Sequence, residues 1–164
     1  MTKTVTAIFR TRQSTEEALR QLETSGFGAN QISVLMSDAT RDKSFKIVEN
    51  SKADEGMAAG ATFGGVVGAV LASAASAGAI VIPGLNLVVA GTLISALAGL
   101  GAGAATGGLL GVLIGAGIPE HEAKVFEKEL AGGSCIVAVQ AQDSKEAEVA
   151  EKIFKRLNAM NVAA

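Results

Sequence analysis

The chain contains no tryptophan and no tyrosine, and it has two prolines, one cysteine and one histidine. One cysteine excludes an internal disulfide, so no oxidising compartment is implied. The neighbours of Cys135, namely Ile136, Val137 and Val139, place it in a strand as a small buried hydrophobe. Fourteen Lys and Arg against 16 Asp and Glu give a net charge of −2, and six phenylalanines are the only aromatics. A nucleic-acid surface needs clustered cations and stacking rings, and neither is present. The largest absence is of charge itself. From residue 56 to residue 119 there is no Asp, Glu, Lys, Arg or His, and 16 of those 64 positions are glycine. An ordinary water-facing fold must return a polar residue to its surface every turn or two, and this stretch does not.

The length suits one domain carrying an insertion. Residues 1–50 and 119–164 make a discontinuous polar domain, and residues 51–118 form the apolar insertion. The first ten residues hold Lys3 and the alternating Val5, Ala7 and Phe9, without the continuous apolar core of a signal peptide, so export is not expected.

Within the polar domain, residues 4–9 alternate as a strand. Ser14 followed by Glu17 is a capping-box pattern opening a helix with Ala18, Leu19 and Leu22 on one face, ending near Gly26. Residues 31–36 give a second strand, 38–43 a polar turn and 45–48 a third strand. After the insertion, Pro119 with Glu120 and Glu122 starts a helix carrying Val125, Phe126 and Leu130, stopped by Gly132-Gly133. Residues 134–141 form another strand. Ser144 with Glu146 and Glu148 opens a last helix whose inward face is Ala147, Val149, Ala150, Ile153, Phe154 and Leu157. Without residues 51–118 the order is βαββαβ plus one extra C-terminal helix. The expected class is therefore α+β, a ferredoxin-like sandwich with helices on one sheet face.

The insertion divides at Ile82-Pro83-Gly84-Leu85-Asn86, a turn signal centred on Pro83 and Gly84, with Asn86 placed to cap the second arm. As helices, arms over 57–81 and 87–117 would extend about 37 and about 46 Å, against a hydrocarbon thickness of about 30 Å. Small residues recur every fourth position: Gly56, Gly60, Gly64 and Gly68, then Ala72 and Ser76; in the second arm Gly91, Ser95, Gly99, Gly103, Gly107, Gly111 and Gly115. Such a stripe is a groove that lets another helix backbone approach closely, a glycine zipper. A spacing of four overshoots the helical repeat by about 40° per step. The second stripe therefore winds round its helix and calls for more than one neighbour, which predicts a homo-oligomer. The expectation is a transmembrane helical hairpin in the cytoplasmic membrane. Lys43, Lys46 and Lys52 before it, with Lys124 and Lys128 after it, put both termini on the cytoplasmic side. The alternative is a soluble cytoplasmic assembly with the hairpins buried between subunits, favoured by the weakly lipophilic residues 72–79 and the missing aromatic belt.

No catalytic constellation stands out. His121 sits between Glu120 and Glu122, but adjacent helical side chains diverge, so no metal site is expected. The glycine repeats lack the preceding strand and the Lys-Ser/Thr of a phosphate loop. No cofactor and no small-molecule substrate are expected; the partners anticipated are further copies of the chain and membrane lipid.

Thr6-Ala7-Ile8-Phe9, Ile32-Ser33-Val34-Leu35-Met36-Ser37, Ile82-Pro83-Gly84 and Gly117-Ile118-Pro119-Glu120-His121-Glu122-Ala123 together resemble a bacterial family of small proteins described as low-temperature-induced, heat-induced or general stress proteins. The resemblance spans nearly the whole chain. It implies a stress-linked, membrane-associated role without assigned activity, and it supplies no catalytic residues. The function expected is thus that of a non-enzymatic stress protein that self-associates through its glycine stripes. The alternative is a sensor or ligand-binding module with the hairpin as its oligomerisation element.

Overall fold

The computed structural model describes residues 3–40, 80–82, 87–91, 110–111, 114 and 118–163. They form a mixed α/β structure with one antiparallel sheet and three helices of 12 or 13 residues. In chain order these are β1 (Lys3–Phe9), α1 (Arg12–Thr24), β2 (Ile32–Ser37), β3 (Ile80–Ile82), β4 (Leu87–Gly91), α2 (Glu120–Ala131), β5 (Cys135–Ala141), α3 (Ser144–Arg156) and β6 (Met160–Ala163). The strands run in the order β3-β4-β2-β5-β1-β6, and every neighbouring pair is antiparallel.

Each helix is bounded by its own local chemistry. Thr11 caps α1, its Oγ1 accepting from the Ser14 N–H at 3.2 Å. The helix therefore begins ahead of the Ser14-Glu17 pair, because the threonine hydroxyl reaches the free amides first. Asp143 caps α3 by accepting from the Lys145 and Glu146 amides at 2.8 Å each, while the Glu146 carboxylate accepts from the Gln142 N–H. All three helices end alike. The residue past the cap is left-handed (Gly26, Gly133 and Asn158), and the next amide donates back to the carbonyl five residues earlier: Phe27 to Leu22, Ser134 to Glu129, Ala159 to Phe154.

Period-two alternation gives the sheet two apolar faces. On the first face Val5, Ala7, Phe9, Ile32, Val34, Met36, Val137 and Val139 pack with Leu19 and Leu22 of α1 and Ile153 and Phe154 of α3. Phe9 and Phe154 meet edge to face with ring centroids 5.8 Å apart. On the second face Ile8, Leu35, Ile136 and Ala138 lie under Ala123, Phe126 and Leu130 of α2, joined by Ile118, Leu110 and Met160.

Three sequence-based expectations change here, and a fourth is not reached. The helix begun at Pro119 does not share a face with α1. It covers the opposite one, because its buried stripe packs on Ile8, Leu35, Ile136 and Ala138, which alternate with the residues under α1. The C-terminal helix is the true companion of α1, and it leads into an unforeseen strand, β6, hidden in the sequence by its shortness and by Asn158 and Asn161. The strand expected over 45–48 lies outside the described residues. Finally, Ile80–Ile82 and Leu87–Gly91 are strands of one antiparallel hairpin, where helical arms had been expected. Their β-branched residues Ile80, Val81, Ile82, Val88 and Val89 fit a pleated ladder better than a helix.

The membrane assignment is corrected with them. Among the described residues no helix is long and apolar enough to cross a membrane. The longest, α1 and α3, have 13 residues, about 20 Å of helix against a 30 Å hydrocarbon layer, and both carry charges along their outer faces. No helical hairpin is present among the described residues.

Candidate association surfaces

The glycines singled out by the sequence part company in the structure. Gly91 ends β4, opposite Ser33 of β2, so it takes no part in a helix groove there. Gly111 is helical and half-buried. Gly56, Gly60, Gly64, Gly68, Gly99, Gly103, Gly107 and Gly115 lie outside the described residues, as do Pro83 and Gly84. Ile82 and Leu87, on either side of them, are antiparallel partners.

Gly91 belongs instead to a row of small residues running across the second face. Thr6 lies opposite Ala138, Ala138 opposite Ser33, and Ser33 opposite Gly91. Thr6, Ser33 and Ala138 are all buried, at 3%, 1% and 2% exposure. The next row is large and apolar: Ile8, Ile136, Leu35, Val89 and Ile80 in register. Phe126 and Leu130 of α2 pack with Ile8, Ile136 and Leu35 of that row. Sequence reasoning found Gly91 but missed its companions, because a row is assembled from four strands and has no period along the chain.

The two edges of the sheet differ. β6 pairs with β1 through Thr6–Ala163 and Ile8–Met160, with one extra β6 residue between those pairs and Asn161 at φ 48°. That bulge and left-handed residue bend the outer edge away from ladder geometry. At the other edge, β3 is Ile80-Val81-Ile82 in regular register with β4. It carries no charge, proline or bulge of the kinds that blunt an exposed edge. Among the described residues, nothing pairs with its outer side.

The polar and titratable groups form small structural sets. Gln31 Nε2 donates to Glu146 Oε2 at 3.0 Å and to the Gln140 carbonyl at 3.3 Å, tying the entry of β2 to the start of α3. Ser134 Oγ donates to Glu129 Oε2, and Arg10 lies 3.6 Å from Glu129 Oε1. Glu122 keeps one carboxylate oxygen buried without a partner among the described residues, while its other oxygen is 3.6 Å from the exposed His121. Glu120 pairs with Lys124 at 2.8 Å; the hydrogen bond and charge of the lysine hold this carboxyl below its ordinary range. Burial pushes the Cys135 thiol up to about 11, partly offset by a hydrogen bond with Thr15, so at neutral pH it is a protonated, inert thiol. Among the described residues, no three His, Cys, Asp or Glu side chains group to hold a metal ion. Protein-family models, curated proteins and solved structures were compared with the chain. None matches it.

Proposed function

We propose that this chain is a non-catalytic association protein that works in the aqueous phase as a homo-oligomer, with its uncharged insertion buried within and between copies. One observation carries this. Part of the insertion, β4, pairs along β2 from Ser33 to Ser37 in the sheet. An uncharged stretch stitched into a water-facing sheet still has apolar surface to cover, and copies of the same chain supply a cover of matching character.

The central strands support a finer reading of the fold. Two crossovers, β1-α1-β2 and β5-α3-β6, each skip one strand and interleave, giving the order β2-β5-β1-β6. That order favours a ferredoxin-like core, to which β3, β4 and α2 are additions. The resemblance to small bacterial stress proteins adds a stress-linked role to the proposal. Light scattering on the intact chain in detergent-free buffer tests the association: a mass of two or more copies is expected, and a monomer at every concentration overturns it.

A further inference from the structure

We propose that Met160 is an oxidation-sensitive anchor, and that conversion of its thioether to the sulfoxide by a peroxide releases β6 from the sheet. The first ground is how little holds this strand. β6 pairs with β1 through Thr6–Ala163 and Ile8–Met160, with a register shift between them. Period-two alternation would put Met160 and Val162 on one face, but the left-handed Asn161 between them turns the strand. Met160 packs against the second-face cluster and Val162 against the first. Among the described residues of β6, Met160 is therefore the one side chain packed on the second-face cluster.

The second ground is access. Met36 of β2 is fully buried, whereas Met160 is only partly buried and sits on the last strand of the sheet. With hydrogen peroxide the sulfur attacks one oxygen and the O–O bond breaks. That oxygen stays on sulfur, which gives up two electrons, and the other leaves as water with both protons. A flexible apolar group becomes a polar, chiral one. A sulfoxide oxygen would give up its water to enter a cluster that includes Ile8, Ile136 and Phe126, so the oxidised side chain is better solvated outside it. With β6 released, residues 6–8 of β1 keep their partners in β5 and lose those on the other side. Reduction of the sulfoxide by a methionine sulfoxide reductase returns the thioether.

Hydrogen peroxide treatment of the intact chain, read by peptide masses and amide exchange, tests this. Met160 should take up one oxygen about tenfold faster than Met36, and exchange across residues 160–163 should then quicken by about tenfold. Reductase treatment should restore the slow exchange. Met160→Leu keeps an apolar anchor without the sulfur, so peroxide should leave its exchange at 160–163 unchanged even though Met1 and Met57 are still present. Met160→Gln supplies polarity without any oxidant and should show the quickened exchange from the outset, with the far-ultraviolet dichroism of the sheet retained. A Met160 sulfur that resists peroxide as Met36 does overturns the proposal. So does a sulfoxide at position 160 with exchange left slow, or the same quickening in treated Met160→Leu.

Discussion

Asn158 holds the left-handed position past α3 with φ 53°, where α1 and α2 use Gly26 and Gly133. A side chain tolerates that conformation at a cost of about 1 kcal/mol, less for asparagine than for most residues. Asn158→Gly should therefore raise the thermal midpoint slightly, and Gly133→Ala should destabilise by about 1 kcal/mol in chemical denaturation. Glu122 offers the opposite case. Its buried oxygen has no partner among the described residues, so Glu122→Gln should equal or exceed the parent in stability, by about 1 kcal/mol at most; a clear loss would mean that the carboxylate has a donor. For Cys135 the folded pKa of about 11 stands above the ordinary 9.0. Between those values the unfolded chain releases its proton while the folded chain keeps it, so stability falls as pH rises, by up to about 1.4 kcal/mol per pH unit. Denaturation midpoints of the parent should drop more steeply from pH 9 to 11 than those of Cys135→Ala. At this scale much was legible. Gly26 and Gly132-Gly133 mark helix ends by their composition, whereas the Thr11 cap was obscured by a second good capping pattern three residues later.

Among the elements, α2 has much to lose from a single truncation, because its Phe126 is fully buried. Phe126→Ala should cost about 3–5 kcal/mol in chemical denaturation. If α2 only rested loosely on the sheet the cost would be near that of a surface change. The strands β1, β2 and β5 and the three helices were readable because alternation and amphipathic stripes are local signals. β3 and β4 were misread for a physical reason. Gly91 continued a spacing of four that suits a helix, while the five β-branched residues around Pro83 and Gly84 pointed to a hairpin. Short apolar runs do not decide between the two without knowing what lies beside them; here the partner is β2, far upstream.

For the whole molecule the decisive property is the order of the strands. The sequence carried the α+β class, yet it misassigned which helix and strand complete the second crossover, because α2 and α3 are both amphipathic and only pairing distinguishes their faces. The charge-free insertion was legible as a distinct segment, and the pairing of its residues 80–82 and 87–91 in the sheet was not. That incorporation makes a single cooperative unit the natural expectation: β4 lies along β2, and α2 lies over β2 and β5. Deleting residues 51–118 should therefore lower the denaturation midpoint and expose dye-binding apolar surface, rather than release an unaltered domain.

β1 and β2 do not pair with each other; β5 lies between them in the sheet. During synthesis the ribosome therefore releases β1 and α1 long before the strand that joins β1 to β2, beginning at Cys135, has been made, although β2 meets β4 earlier. The early half-sheet β3-β4-β2 leaves β1 without a partner strand, so the safe arrival of the nascent chain at the native state depends on whatever escorts it through that interval. Translation pauses or chaperone shortage should raise its aggregation sooner than they would for a protein that pairs its strands in the order they emerge.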